Sequence, residues 1–557
     1  MNAKEIMSVR RFVKVRQNAT RLIGVILFAL FAMSSQANSS KGITLPQGII
    51  LGGELSNSAA TSVADIDEVM PRMRAAGLNT VLIPAYWELM EPSEGQFDFT
   101  LIDRIIEQAR AQQMNVILLW FGAWKNSMSC YAPSWFKENT KRFPRAETRT
   151  GKPLEIATAF SNEVLQADMR AFLALIRHLK EIDGSQRTVT MVQIENEIGM
   201  LEDARDHSPL AEKAYRQDVP TPLLKALGLK QKGTWSEIFG TDLYADEQFQ
   251  AWHYACYVQQ LAAAAHQEYD IPFFVNAAMN SRGRKPGEYP SAGPLAHLAK
   301  IWKCAAPDVA LLSPDIYDTG FKGWAAQYAM PDNRLFIPET RSCMNTGVRA
   351  LYTFGEYKAL GFSPFAIDQA SAEEVAQVTQ AYNLLRQLSS IDFRKPSLPT
   401  WGLLFDKEDQ ERTITDDNLV LTCRHFFTLP WDARATDGSE WREGGGIIVR
   451  LNPNEYIVAG SGIVVEFHTA TEQQQLTAQQ LGEDGFAEAG SGDAGDAQKK
   501  QWKGKRVGLT FVNQISISED GTLNYIRRDN GDQSHQGRHA RISPDDYKIL
   551  HIKLYEY

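Results

Sequence analysis

The chain has 557 residues, of which 44% are hydrophobic and 22% are charged. This balance is typical of a soluble globular protein and excludes a disordered chain, a collagen-like fibre and a polytopic membrane protein. The net charge of −9 disfavours a general nucleic-acid-binding role.

The first predicted element is a targeting segment over residues 1–37. A basic region that ends at Arg21 precedes an uncharged run, Leu22–Met33, which is too short to span a bilayer. Ser35-Gln36-Ala37 then places small residues where a signal peptidase cleaves. We expect a signal peptide that is cleaved near Ala37, a periplasmic or secreted protein, and no membrane anchor after cleavage. The alternatives are a buried core helix and an uncleaved anchor.

Eight strand-like apolar runs alternate with helical patterns between about residues 46 and 390. The runs are Gly48–Leu55, Thr80–Ala85, Asn115–Phe121, Val189–Ile194, Phe273–Ala278, Val309–Ile316, Leu335–Pro338 and Phe362–Ile367. Continuous apolar runs are expected for parallel strands that helices cover on both faces. The pattern therefore predicts an α/β fold, a (β/α)8 TIM barrel over residues 38–394. The long stretch after Glu197 predicts an insertion that forms a wall of the active site.

The pattern changes after about residue 395 to short segments of alternating hydrophobicity. They include Tyr456–Thr469, Arg506–Ser518 and Tyr547–Tyr557, with turns at Asp520-Gly521 and Asn530-Gly531. This pattern predicts a smaller antiparallel β domain over residues 395–557. Within it, Glu488–Lys500 is small and polar, as expected for an exposed loop.

Two glutamates follow strands at the barrel end where catalytic residues project. Glu197 ends the fourth run, directly after Asn196, and Glu339 ends the seventh. Retaining glycosidases need two carboxyls about 5–5.5 Å apart, one as a nucleophile and one as an acid that later acts as a base. We predict that Glu339 is the nucleophile and Glu197 the acid/base. The alternative is that both form structural ion pairs.

Charge decides which glutamate takes which role. Glu339 should be ionised, with Arg341 or another cation helping to keep it so, and its charge in a partly desolvated pocket should keep Glu197 protonated. Asn196 would donate to the sugar 2-hydroxyl. For Glu195 we favour a structural role, orienting neighbours or pairing with a barrel cation.

Several motifs carry a resemblance to a known family. Gln193–Gly199 (QIENEIG) is similar to the strand-four signature of glycoside hydrolase family 35, the β-galactosidases. Tyr86–Pro92 (YWELMEP) resembles the strand-two motif of that family, and Ala132–Trp135 (APSW) a loop after strand three. The resemblance covers the barrel and implies a retaining mechanism with Glu197 as the acid/base and Glu339 as the nucleophile. It implies no metal and no organic cofactor.

The chain departs from that family at two places. Pro84 stands where a tyrosine is usual, and the third strand continues as Leu119–Asn126 (LWFGAWKN) in place of an acidic, cysteine-containing motif. The chain thus resembles a divergent branch with a short C-terminal β domain.

Aromatic and polar residues at the strand ends are predicted to bind the sugar. Core packing is an equal alternative for each tryptophan, although the cluster favours a carbohydrate cleft. The predicted substrate-binding residues, besides Asn196, are Tyr86, Trp87, Trp120, Trp124, Asn126 and Tyr317. Asn276 and Asp315 also end barrel strands and are further candidates.

The leading hypothesis is an exported retaining exo-β-galactosidase that acts on plant-type oligo- and polysaccharides, such as galactosylated xyloglucan. A carbohydrate is the expected partner, with no nucleic acid. The alternatives are another retaining β-glycosidase of the same clan, acting on glucose- or mannose-based chains, and a non-catalytic carbohydrate-binding barrel. A binding protein would need neither Glu197 nor Glu339, which argues against the last.

Overall fold

The computed structural model describes residues 44–280, 283–429, 431–476 and 503–557. The predicted signal peptide at residues 1–37 and the predicted loop at Glu488–Lys500 lie outside these ranges. Leu45–Tyr557 form one compact unit, and the domain boundary after residue 394 stays a prediction. Among the described helices, none is both long and apolar enough to cross a membrane.

The strands of the first part of the chain form a parallel barrel and one separate hairpin. In chain order they are β1 (Ile50–Glu54), β2 (Thr80–Tyr86), β3 (Asn115–Lys125), β4 (Arg145–Glu147), β5 (Pro153–Ala157), β6 (Val189–Asn196), β7 (Phe273–Ala278), β8 (Leu311–Ile316), β9 (Phe336–Ile337), β10 (Glu339–Thr340) and β11 (Gly361–Phe362). The spatial order is β10-β8-β7-β6-β3-β2-β1-β11-β9, and β4 and β5 form a separate hairpin. The predicted TIM barrel is thereby confirmed.

The seventh barrel strand is split into β9 and β10 by Pro338. Proline has no N–H to give to a sheet ladder, so the strand is interrupted there. β9 pairs with β11 on one side, and β10 pairs with β8 on the other, with Glu339 opposite Asp315. The interruption thus leaves Glu339 at the start of the short upper half of the strand.

Most of the helices pack around the barrel, and the last of them lies in the C-terminal part of the chain, against the smaller sheet. They are α1 (Val63–Ala75), α2 (Trp87–Met90), α3 (Thr100–Ala111), α4 (Ser134–Lys137), α5 (Asn162–Asp183), α6 (Pro209–Tyr215), α7 (Thr221–Ala226), α8 (Trp235–Phe239), α9 (Leu243–Glu268), α10 (Ala299–Ala305), α11 (Phe321–Tyr328), α12 (Thr346–Tyr357), α13 (Ala372–Ser390) and α14 (Ala470–Leu476). The side chain of Ser161 caps α5 by accepting from the backbone N–H of Val164. The predicted insertion after Glu197 contains the three short helices α6 to α8.

The C-terminal part contains two antiparallel sheets. The strands are β12 (Thr400–Phe405), β13 (Glu411–Asp416), β14 (Leu419–His425), β15 (Gly444–Asn452), β16 (Glu455–Ser461), β17 (Ile463–Thr469), β18 (Val507–Ile517), β19 (Leu523–Arg528), β20 (Ala540–Ile542) and β21 (Lys548–Glu556). The six-stranded sheet has the order β12-β15-β16-β21-β18-β19, and the four-stranded sheet has the order β13-β14-β17-β20. Gly521 in the β18–β19 turn has φ +82°, which glycine adopts without strain.

Side chains that alternate along β15 pack into two different cores, one of which includes the barrel. Ile447 and Val449 of β15 belong to the core that includes the barrel, whereas Ile448 between them belongs to a second core between the two sheets. A period of two places successive side chains on opposite faces of a sheet. The six-stranded sheet is therefore buried on both sides, against the barrel helices and against the smaller sheet.

A buried charge cluster in the smaller sheet makes its stability depend on pH. Burial opposes the charge on His468, but the carboxyls of Glu466 and Glu472 outweigh it and raise the pKa of His468 to about 9. The folded pKa lies above the unfolded value of about 6.5. The stabilisation is thus complete below pH about 6.5 and is lost as the pH rises through 9.

We expect the melting temperature to fall between pH 6.5 and 9, and to fall less in His468→Gln. Between pH 6.5 and 9, wild type should lose roughly 1–3 kcal/mol more unfolding free energy than His468→Gln. Scanning calorimetry of both proteins at several pH values measures it. Equal pH dependence in the two proteins would show that His468 does not carry this effect.

Candidate active site

The structure brings Glu197 and Glu339 together at one end of the barrel. Glu197 directly follows β6, and Glu339 begins β10. One carboxyl oxygen each from Glu197, Asp315 and Glu339 lies within 4.8 Å of the other two. The side chains are almost closed off from solvent, with Glu197 6% and Glu339 5% exposed. Two acidic groups so close together cannot both hold a charge without strong repulsion.

Neighbouring amides hold Glu197 in place. Its backbone N–H donates to Asn276 Oδ1 at 2.9 Å, and Asn276 Nδ2 donates in turn to Asp315 Oδ2 at 2.7 Å. Asn126 Nδ2 donates to Glu197 Oε2. Glu197 itself has φ +47°, a conformation that costs energy for a residue other than glycine and that clusters at functional sites.

A hydroxyl and a buried ammonium group support Glu339. Tyr317 Oη donates to Glu339 Oε1. Lys125, which ends β3, is 5% exposed, and its charge opposes the effect of burial on the pKa of Glu339. Lys125 Nζ also donates to Asn126 Oδ1, which connects it to the amide that binds Glu197. Among the described residues, Lys125 is thus the cation of this site.

Neighbouring charges affect the pKa values of the two glutamates differently. Burial, and after it the charge on Glu339, raises the pKa of Glu197 to about 7, with Lys125 opposing. Burial also raises the pKa of Glu339, but Lys125 and the Tyr317 hydrogen bond lower it. The arrangement favours a proton on Glu197 and a charge on Glu339.

The expected cation near Glu339 is Lys125 and not Arg341. Arg341 is exposed, and its guanidinium carbon lies 5.9 Å from the centre of the Tyr317 ring. The third apolar run of the sequence ends at Phe121, whereas β3 continues to Lys125. A single lysine at the end of a long apolar run is the signal that could have identified it.

Asn126, Asn196 and Tyr317 are the predicted substrate-binding residues that the structure places near the glutamates. Asn126 is exposed and Tyr317 is half-buried. Asn196 is fully buried, and its amide nitrogen and oxygen have no hydrogen-bond partner among the described residues. An unpaired buried amide is costly, which fits a group that awaits a ligand hydroxyl. The sugar contact itself stays a prediction.

The other four predicted substrate-binding residues are packed inside the protein. Trp87, Trp120 and Trp124 are 0% exposed, and Tyr86 donates its hydroxyl to the backbone oxygen of Asn57 at 2.7 Å. This burial corrects the expectation that these residues supply sugar platforms, because no ring face is open to a ligand. Trp120 and Trp124 are buried because β3 is long and both lie inside this buried strand.

Glu195 has the structural role that the sequence favours, but its partner is another acid. Its Oε2 accepts the backbone N–H of Trp124 at 2.8 Å, and its carboxyl faces Asp168. Asp168 accepts from Trp120 Nε1 at 2.9 Å and from Tyr257 Oη at 2.7 Å. Burial and then the Asp168 charge raise the pKa of Glu195 well above its usual range. Of the two structural roles expected for Glu195, the orientation of neighbours fits these contacts, and pairing with a barrel cation does not.

Comparison with known families matches two parts of the chain. Residues 59–228 match the model of the glycoside hydrolase family 42 β-galactosidases. Residues 378–541 match the model of a "domain of unknown function", DUF5597. The first match supports the β-galactosidase class that the motifs indicated. It names family 42, and the family 35 assignment stays a prediction.

One curated relative is a β-galactosidase of Xanthomonas manihotis, 31% identical over 154 residues. The match covers 26% of this chain and 22% of that protein, so the chain spans about a fifth of the relative's length.

Solved structures resemble the barrel more distantly. A β-galactosidase of Halorubrum lacusprofundi has a TM-score of 0.45 and 16% identity, covering 61% of this chain and 58% of that one. A β-galactosidase of Marinomonas ef1 has a TM-score of 0.42 and 14% identity, covering 61% and 59%. The catalytic domain of a Paenibacillus polymyxa β-amylase has a TM-score of 0.43 and 12% identity, covering 61% and 98%. Similarity at this level does not indicate a shared function.

Proposed function

We propose that the chain is a retaining exo-β-galactosidase. The observation that carries the proposal is that one carboxyl oxygen of Glu197 lies within 4.8 Å of one carboxyl oxygen of Glu339. Retaining glycosidases hold their two carboxyls about 5–5.5 Å apart, whereas inverting ones leave about 6.5–9.5 Å for a water molecule. The spacing supports direct attack by one carboxylate on the sugar.

In the first step, Glu339 attacks the anomeric carbon while the bond to the leaving oxygen breaks. Glu197 gives its proton to that oxygen, which leaves as an alcohol. The pKa of about 7 supports this role, because Glu197 is still largely protonated in mildly acidic solution. Tyr317 holds Glu339 in place through its hydrogen bond. The product is a sugar ester of Glu339 and an ionised Glu197.

In the second step, Glu197 acts as the base. Esterification removes the charge of Glu339, and the charge that raised the pKa of Glu197 is gone. Glu197 then takes a proton from water, whose oxygen attacks the anomeric carbon, and Glu339 leaves as a carboxylate. Two inversions at one carbon restore the β configuration. Asn196 donates to the sugar 2-hydroxyl in both steps.

Galactose as the sugar is supported by the β-galactosidase model over residues 59–228 and by the strand-four motif at Gln193–Gly199. The proposed natural substrates are galactose-terminated plant oligo- and polysaccharides such as galactosylated xyloglucan, in keeping with the family that the motifs resemble. Export is proposed on the pattern of residues 1–37.

A panel of nitrophenyl β-glycosides tests the proposed function. We expect turnover of the galactoside and much slower turnover of the glucoside and mannoside. Preference for the glucoside or mannoside would overturn the galactosidase assignment in favour of another glycosidase of the clan. Binding of galactosides without turnover of any glycoside would favour a carbohydrate-binding barrel.

Replacing Lys125 by methionine should move the acidic limb of the pH profile to higher pH. The ammonium group lowers the pKa of Glu339, and an opposite charge at close range is worth about 1–3 pH units. The pH dependence of kcat/KM on nitrophenyl galactoside measures the shift. Lys303→Met, at a lysine of α10 that pairs with Asp332, is the control and should leave the profile unchanged. An unmoved acidic limb in Lys125→Met would contradict the role of this cation.

A further inference from the structure

Glu54 is a fourth acidic group at the site, and neither the sequence motifs nor the mechanism above assigns it a role. It ends β1 and is 1% exposed. The backbone N–H of Glu54 donates to Pro364 O at 2.9 Å, and that of Phe365 donates to Thr340 O at 2.8 Å. These two bonds tie the end of β1 to the strand half that carries Glu339. The carboxyl of Glu54 faces that of Glu339, whose Oε2 is buried with no hydrogen-bond partner among the described residues.

A proton must lie between these two groups if they are to attract each other. Two ionised carboxylates offer only acceptors and repel, whereas a neutral carboxylic acid donates through its O–H. Neither oxygen of Glu54 accepts a hydrogen bond from any N–H or O–H among the described residues. Glu339 accepts from Tyr317 and feels the charge of Lys125. The charge is therefore better placed on Glu339 and the proton on Glu54.

The charge balance of the whole site leads to the same assignment. Among the residues that the structure describes, the groups that face Glu54 from the surrounding strands are Glu339, Glu197, Asp315, Lys125 and Tyr317. With four ionised carboxyls and one ammonium group these described groups would carry a charge of −3, which is very costly to bury. Protons on Glu54, Glu197 and Asp315 leave one carboxylate, Glu339, opposite one cation. Burial, followed by the Glu339 charge, accordingly raises the pKa of Glu54 well above its usual range.

We propose that Glu54 is a neutral carboxylic acid whose O–H donates to Glu339, and that it is a positioning residue for the nucleophile. This inference rests on the proposed function. The hydrogen bond is strong while Glu339 is ionised and weak while Glu339 is esterified. In the second step the bond from the anomeric carbon to Glu339 breaks with its electron pair going to the Glu339 oxygen. The Glu54 donor therefore assists mainly that step.

Two variants of similar size distinguish hydrogen-bond donation by residue 54 from a role in packing. Glu54→Gln keeps an N–H donor, and Glu54→Leu has none. We expect Glu54→Gln to stay within about threefold of wild type. In Glu54→Leu, kcat and KM for an activated aryl galactoside should fall together by at least about tenfold, with a burst of nitrophenol, because the second step limits. A packing role would lower kcat/KM in both variants alike, and that result would overturn the proposal.

Infrared spectroscopy tests the proton itself and needs no turnover. The difference spectrum of wild type and Glu54→Gln at neutral pH should show the loss of a protonated-carboxyl C=O band. The control Glu88→Gln, at a side chain that is 34% exposed, should show the loss of carboxylate bands. Loss of carboxylate bands in Glu54→Gln would overturn the proposal even if the enzyme is a galactosidase. A protonated Glu54 in a chain that hydrolyses no glycoside would contradict the proposed function and leave the proton assignment standing.

Discussion

Glu339→Gly is expected to lower kcat on nitrophenyl β-galactoside by roughly 10⁴-fold or more, and added azide should restore turnover. The substitution removes the nucleophile and leaves a space beside the anomeric carbon that a small anion fills. Azide then attacks from the face that Glu339 used, while Glu197 still serves the leaving group. The product should be the α-galactosyl azide, with inverted configuration, which NMR of the product identifies.

Glu339→Gln is the matched control for azide rescue. Its amide is a poor nucleophile but fills the space of the carboxyl, so we expect loss of activity without rescue by azide. Near-normal hydrolysis by Glu339→Gly would show that another group is the nucleophile. A β-configured azide product would mean that attack comes from the other face.

Glu197→Ala is expected to lose more activity on substrates whose leaving oxygen must be protonated than on substrates with acidic leaving groups. On aryl galactosides with acidic phenols the first step should be nearly spared, whereas on alkyl galactosides kcat/KM should fall by roughly 10²–10⁴-fold, the usual contribution of a general acid. Rates on a series of aryl and alkyl leaving groups measure this. An equal loss on every leaving group would contradict the acid role.

The pH profile gives a second signature of Glu197. Its raised pKa of about 7 means that the protonated acid predominates below pH 7 and is lost as the pH rises through that value. The kcat/KM of wild type on a poor leaving group should therefore fall above pH about 7. In Glu197→Ala that alkaline limb should be absent. An unchanged limb in the variant would assign it to another group.

The barrel could be predicted from the sequence because its strands are buried on both faces and therefore appear as continuous apolar runs. The run Phe273–Ala278 coincides with β7, and Thr80–Ala85 differs from β2 by one residue. The proximity of Glu197 and Glu339 could be predicted because each follows an apolar run, at the barrel face where catalytic groups project. The motif around Glu197 strengthened that prediction.

The remaining site residues depend on contacts between strands that are distant in sequence. The roles of Lys125 and Glu54 depend on bringing β1, β3 and β10 together, and a local signal such as a lysine at the end of an apolar run does not say which groups it faces. The prediction that the tryptophans contact the sugar was wrong for a related reason. An indole near a strand end has the same sequence signature whether it lines a cleft or fills a core, and β3 runs far enough to bury Trp120 and Trp124.

The central claim, double displacement through Glu339 and Glu197, is tested most directly by the anomer that is released first. Proton NMR recorded during hydrolysis of nitrophenyl β-galactoside, at enzyme concentrations that outrun mutarotation, distinguishes the two anomers of free galactose. Double displacement predicts that β-galactose is released first and that the α anomer appears slowly afterwards. α-Galactose as the first product would show single displacement by water and would contradict the account.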